Sequence, residues 1–460
     1  MKSISKMRAG TSKLSNLVLV STVWLAAVFC IASCNKDSGI KADVLPETET
    51  DIASLTLKIK SNLATKATPD TQATEEEIKI NTIDLFIFDM EEGSISEGML
   101  EAYKQVSFSD GDEIKVTMNS TTGKKRIYAV ANAGSNSYDG GTFNLSKTVE
   151  TEEDLLSSIS KFSENALSDF IMVGSASTTV EGEASEPVLE AGDAASNNIT
   201  IEVKRLVSRI KIGSIKGDFT APGLREKDFE VKRIYLMNVA KQAGYVNGSW
   251  KDVFGDEARG TITDAPEGFI AAAEVGKYYA YATPAANSTQ ANGFWNWMDH
   301  TTFHEGDPVV LSDDSAVKDL TLKEYSGDQG LIYSSDEERT VLSANTMTLN
   351  EYFYAYPNSS IPAEEMEDVD MTTKLVIETQ ITIDSEPVTY YYPLSIPYLQ
   401  PNYAYTIGTV TIHRLGSKDP FHPVSTANCT FTITVRVWDT GEIVGKYNNG
   451  VEGSDGDFEI

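Results

Sequence analysis

Cys429-Thr430-Phe431-Thr432-Ile433-Thr434-Val435-Arg436-Val437 alternates apolar and polar side chains without a fault. Successive side chains of an extended chain point to opposite faces. Cys429, Phe431, Ile433, Val435 and Val437 therefore share one apolar face, while Thr430, Thr432, Thr434, Arg436 and then Trp438 share the other. The turn Asp439-Thr440-Gly441 follows, and Ile443 and Val444 begin a shorter piece, which places a C-terminal strand pair at about 427–446. The same period opens the other end of the chain, where Ala53, Leu55, Leu57 and Ile59 alternate with Ser54, Thr56, Lys58 and Lys60. Both runs predict half-buried strands.

Short runs of this kind recur between them. Ile83, Leu85 and Ile87 alternate with Asp84, Phe86 and Phe88, so that strand carries apolar groups on both faces and is expected to be central. Lys125 to Ala133 reads as a strand stopped at Gly134, and further strands are predicted through Ile199–Ile212, Arg233–Val239, Tyr278–Tyr281, Tyr352–Tyr356, Lys374–Ile377, Tyr390–Tyr392 and Tyr403–Ile407. A short helix is expected between Thr151 and Asn165, with Glu152, Glu153 and Asp154 at its start, where the dipole favours acids. Glu181 to Asn198 is acidic and reads as a loop, and Asn287 to Asp328 reads as a long surface insertion. Regular strands between turn clusters indicate a mainly β chain of sandwiches. A length of 460 residues suggests two, at 67–195 and 196–460, with the boundary near Ser196.

The N-terminal region has its own logic. Lys2, Lys6, Arg8 and Lys13 precede an apolar run from Leu17 to Ile31, the length of a signal-peptide core rather than of a membrane span. It closes on Ile31-Ala32-Ser33-Cys34, which resembles the lipobox of bacterial lipoproteins. That resemblance implies a signal peptide at 1–33 and a lipid on Cys34; the alternative is an N-terminal membrane anchor with an incidental cysteine. Asn35 to Thr50 is polar and acidic and reads as a tether. After the first strand, Ser61 to Thr74 is small, polar and Pro-containing with Lys66 in its middle, either a plain interstrand loop or an exposed site that a protease nicks.

Several chemistries find no support. A formal charge of −30 leaves no basic surface for nucleic acid. Three cysteines are too few for a disulfide framework, and Cys429 reads as a small buried apolar group. His300 and His304, beside Glu305 and Asp307, would converge on a metal only in a helix, and Thr301-Thr302-Phe303 favours an extended segment. Phe294, Trp295 and Trp297 fit either a sugar-stacking platform or the anchors of a loop. There is no phosphate loop, nucleophile elbow or Cys/His pair, so no catalytic residue, metal or cofactor is expected.

Taken in order, several segments resemble the FimA-like fimbrillins, lipoprotein-precursor subunits of type V pili of gram-negative anaerobes. The leader ends in Cys34-Asn35-Lys36-Asp37, then come the strand with its basic loop, the Ile83 to Phe88 strand and Ile127 to Gly134. Next follow Arg205-Leu206-Val207-Ser208-Arg209, Tyr354-Ala355-Tyr356-Pro357-Asn358, Asn402-Tyr403 to Leu415-Gly416, and Thr434-Val435-Arg436-Val437-Trp438. The resemblance implies two transthyretin-like Greek-key β-sandwich domains. It further implies a trypsin-like surface protease that cuts between Lys66 and Ala67 and removes the propeptide 34–66 with Ala53, Leu55, Leu57 and Ile59. Loss of that strand would open an apolar groove flanked by unpaired backbone, which recruits a strand of matching alternation such as Cys429, Phe431, Ile433, Val435 and Val437 from another copy or a related pilus subunit. The expected setting is the outer membrane, through the lipid on Cys34, and then the fimbrium, with a role in adhesion and biofilm. A second reading is an uncleaved surface lipoprotein for glycan binding or nutrient uptake, using the Trp295 region. A third, an anchored hydrolase, would need a convergent acid pair.

Overall fold

A computed structural model describes residues 52–61, 73–244, 278–279 and 315–449, short stretches within these ranges excepted, the longest being 336–344 and 359–371. In the first half the strands of the main sheet are β1 (Ile52–Ser61), β2 (Thr82–Asp89), β3 (Leu100–Ser107), β4 (Lys115–Thr121), β5 (Gly123–Ala131), β6 (Met172–Ala176), β7 (Val188–Leu189) and β8 (Gly192–Arg205). They form one sheet in the order β3-β2-β5-β6-β8-β1-β4, with β7 paired to β5. Hydrophobic burial sets this arrangement. β2, an interior strand second from the end of the sheet rather than central, buries Ile83, Leu85, Phe86, Ile87 and Phe88, as apolar groups on both its faces predict.

The two ends of this sheet meet. Ser120 on β4 donates to Glu101 Oε1 on β3 at 2.8 Å, the Thr121 N–H donates to the same oxygen, and Lys104 Nζ donates to the Thr117 carbonyl at 2.8 Å. Lys125, only 1% exposed, lies 2.6 Å from Glu101 and 3.0 Å from Asp89. Burial of a lysine is tolerated when its charge is paired in this way.

The second half contains β9 (Ser208–Gly217), β10 (Phe229–Met237), β11 (Leu322–Glu324), β12 (Leu331–Tyr333), β13 (Thr346–Ala355), β14 (Thr373–Ile383), β15 (Glu386–Ile396), β16 (Tyr403–Ile412), β17 (Cys429–Val437) and β18 (Ile443–Asn449). One sheet runs β13-β9-β16-β17-β18 and the other β11-β10-β14-β15, with β12 against β10. Between them Phe219 packs on Phe229 and Tyr333 at 4.9 and 5.3 Å, and the Tyr333 hydroxyl donates to the Gly217 carbonyl at 2.8 Å. The β14–β15 hairpin turns on Asp384 and Ser385, both at positive φ (52° and 71°), the conformation that suits the twist of a two-residue hairpin loop.

Some expectations shift. The segment expected to be an acidic loop, Glu181 to Asn198, contains a short strand at Glu183–Ser185, then β7 and the start of β8. Val188 there is 62% exposed, and such edge pieces bury too little to leave an alternation in the sequence. Ser196 falls inside β8, and the chain passes from one sheet to the next at Leu206–Val207. The expected helix is α1 (Glu152–Ser157), capped by Thr151 and Asp154 in reciprocal hydrogen bonds. At the end of the expected insertion, α2 (Ser315–Thr321) buries Val317, Leu320 and Thr321, a helical spacing too short to stand out.

Candidate functional site

β1 is an interior strand. Its register runs antiparallel to β4, from Ile52↔Thr121 to Lys58↔Lys115, and parallel to β8, from Leu55↔Asn197 to Ser61↔Val203. Ala53, Leu55, Leu57 and Ile59 are all buried, so the face predicted from alternation is the face that packs. The three larger side chains contribute about 5–9 kcal/mol at roughly 1.5–3 each. Polar groups fix the register. Asn197 Nδ2 donates to the Ser54 carbonyl at 3.0 Å, and Ser54 Oγ donates to Asn119 Oδ1 at 2.7 Å. If β1 were absent, β8 and β4 would face each other across a slot, and the bonds of Ser120 and the Thr121 N–H to Glu101 and of Lys104 to the Thr117 carbonyl would still tie β4 to β3.

β17 carries the second set of predicted residues. Cys429, Phe431, Ile433 and Val435 are buried, while Val437 is half-buried. The strand pairs with β16 from Tyr403↔Val437 to Ile412↔Cys429 and with β18 from Phe431↔Asn449 to Arg436↔Ile443. Burial pushes the Cys429 thiol up to about 12, which keeps it protonated and inert at neutral pH. Cys34, Lys66, Ala67, Phe294, Trp295, Trp297, His300 and His304 lie outside the described residues.

A third feature, unread in the sequence, joins the two halves. Trp438 shares the parity of Thr430 to Arg436, a largely accessible row, yet it is fully buried. Its ring lies 4.5 Å from the Arg205 guanidinium carbon and 4.7 Å from that of Arg209, and it stacks on Tyr354 at 6.1 Å. The Trp438 backbone N–H donates to the Asn402 carbonyl at 3.0 Å, and Asn402 Oδ1 accepts from Arg205 at 3.0 Å. On the far side sits Glu77, also fully buried. It accepts from Arg209 at 3.0 Å and from the Tyr354 hydroxyl at 2.7 Å, and its carbonyl accepts from Arg205 Nε at 2.8 Å. Burial, with the Glu77 charge added, pushes the Tyr354 hydroxyl far above its ordinary range, so it stays a donor. The next aromatic on that strand end, Tyr356, exchanges a hydrogen bond with Ser160 and accepts one from Asn165, both at 2.8 Å.

Glu77 was missed because nothing in a polar segment marks one acid as buried. The signal was Thr74-x-x-Glu77, the spacing of a capping box. Glu77 N–H donates to Thr74 Oγ1 at 3.2 Å and Thr74 N–H donates to Glu77 Oε2 at 2.7 Å. The Arg205–Arg209 and Tyr354–Tyr356 segments, read above as strand and for their resemblance, turn out to meet in one place.

Residues 53–208 match the model of a family described as major fimbrial subunit protein (FimA). Among solved structures the chain is similar to a fimbrilin (FimA) from Porphyromonas gingivalis W83. The identity is 15% and the TM-score 0.50, over 85% of this chain and 98% of that one. It is also similar to a proposed cell adhesion protein from Bacteroides eggerthii, at 19% identity and a TM-score of 0.48, over 84% of this chain and 96% of that one. No curated protein matches the chain. The mainly β fold is that of the fimbrilin, and the resemblance to FimA-like fimbrillins holds over the matched residues. The matched family's description is that of a structural fimbrial subunit.

Proposed function

We propose, from the premise that residues 53–208 are a segment of the major-fimbrial-subunit family, that the chain is a structural subunit of cell-surface fimbriae polymerised by strand exchange. It is exported as a lipoprotein precursor held at the outer membrane by lipid on Cys34. A trypsin-like protease cuts after Lys66, and the mature chain, two sandwich domains, begins at Ala67. The observation that carries this reading is the position of β1: an interior strand with four buried apolar side chains, followed within a few residues by the Lys66 loop. Its removal would leave a slot with unpaired backbone on both walls, which a strand of period two fills. β17 has the matching alternation, so a second copy or a related pilus subunit supplies the guest. Like charges on the body left from Ala67 onward, with 29 Lys and Arg against 63 Asp and Glu for a net charge of −34, oppose contact elsewhere.

N-terminal sequencing of protein taken from cells tests the reading. The expected mature start is Ala67, with fibres that resist mild denaturant, while Lys66→Ala should retain the propeptide and remain monomeric. Fibres of the uncut variant at the wild-type rate would refute strand removal. A mature start at Cys34 in a monomeric protein would favour the glycan-binding or uptake lipoprotein instead.

A further inference from the structure

The groups that meet around Trp438 come from parts of the chain with different fates in strand exchange. Glu77 lies in the first described turn after the Lys66 loop, and Arg209 belongs to β9, held between β13 and β16. Trp438 directly follows β17, so β17 cannot leave its sheet unless this ring first comes out from between the halves. The ring touches two guanidiniums at 4.5 and 4.7 Å, and their positive charge is offset by the buried Glu77 carboxylate on Arg209 and by the Asn402 and Glu77 carbonyl oxygens on Arg205. Two buried cations near one ring repel each other unless an anion is close.

We infer that Glu77, Arg205, Arg209 and Trp438 form a latch, in which the turn following the propeptide loop sets how readily β17 leaves its own sheet. The purpose of the latch rests on the strand-exchange reading; its contacts do not. A cut after Lys66 leaves it closed, because Thr74 and Glu77 bond each other and stay with the body of the chain. Opening the slot and freeing the guest strand are then separate events. A freshly cut subunit is ready to receive a strand before it is ready to give one, which limits premature pairing of its own tail.

The buried Cys429 thiol reports on this in the uncut full-length chain. Labelling with N-ethylmaleimide, followed by quenching, unfolding and mass spectrometry of the tryptic peptide Asp419–Arg436, separates it from Cys30 and Cys34. Glu77→Ala is expected to speed Cys429 labelling about tenfold or more, Glu77→Gln by less, and Trp438→Leu at least as much as Glu77→Ala, with amide exchange in β14 unchanged. Labelling that stays at the wild-type rate in both Glu77 variants, or rises only in step with β14 exchange, overturns the latch. Should Glu77→Ala not fold, Glu77→Gln carries the same test. Fibre formation after cleavage is scored separately. Normal fibres from a variant whose Cys429 stays closed remove the latch and keep strand exchange, whereas an opened β17 that makes no fibres removes strand exchange and keeps the latch.

Discussion

β1 and β17, of 10 and 9 residues, bury the same kind of alternating face and each is next to last in its sheet, but their outer neighbours are held differently. β1 has β8 on one side and on the other β4, the last strand of the sheet, which without β1 is held as a second wall by its hydrogen bonds to Glu101 and Lys104 of β3. β17 has β16 on one side and on the other only β18, the last strand of its sheet, so when the pair departs a single edge is exposed. A gap satisfies the backbone of a guest on both sides, while an edge satisfies one side. Under the proposed strand exchange, the first region receives and the second is given. The anchoring of the outer neighbour separates the two where alternation does not.

The largest effect that would break this contrast is excision of β1. Limited trypsin digestion to a chain beginning at Ala67 should strip hydrogen-exchange protection from β4 and β8, because the lost apolar burial is about 5–9 kcal/mol before any guest enters. Unchanged protection in β4 would mean that β3 alone holds it and that no slot opens. Single truncations come next. Leu57→Ala and Ile433→Ala should each lower the unfolding free energy of the uncut chain by about 2–5 kcal/mol in denaturant titration, and equal losses would show that the two strands differ in setting and not in depth of packing.

Acid sharpens the contrast on the β1 side. Burial alone would raise the Glu101 and Asp89 carboxyls, but hydrogen bonds and the charge of Lys125 hold both below their ordinary values, with Ser96 helping Asp89 and the Thr121 N–H and Ser120 helping Glu101. Groups lowered in this way stabilise the fold fully above the unfolded carboxylate range of about 4, and the benefit is lost as pH falls through their folded values. Exchange in β3 and β4 should therefore rise below about pH 4 while β17 lags, and Glu101→Gln should flatten the difference. The smallest expected effects are at the exposed ends: Ile52→Ala and Ile443→Ala, at residues 68% and 49% exposed, should change stability by under about 0.5 kcal/mol.

The sequence reading succeeded where structure is local. Period two located β1 and β17 to within a residue or two and named their buried faces, because side-chain direction in a strand is set by position alone. It could not say that β1 runs parallel to a strand some 140 residues away, since nothing in Leu55 or Leu57 encodes which backbone pairs with theirs. Trp438 shows the same boundary. Its parity was legible, but whether that face met water depended on Arg205 and Tyr354, distant in the chain. Charged residues carry the least local information about burial, which is why Glu77 and Lys125 went unnoticed until their partners were in place.

The mixed pairing of β1 has a consequence for any assembly built through its slot. One wall runs with the strand and the other against it, so the ladders on the two sides space their hydrogen bonds differently. A guest inserted end for end would mismatch both walls at once. The slot reads direction as well as alternation, and subunits joined through it must all point the same way. Each junction of the proposed exchange then links unlike surfaces, and an open chain of such junctions has two distinct ends, one that presents a waiting slot and one that presents a waiting tail.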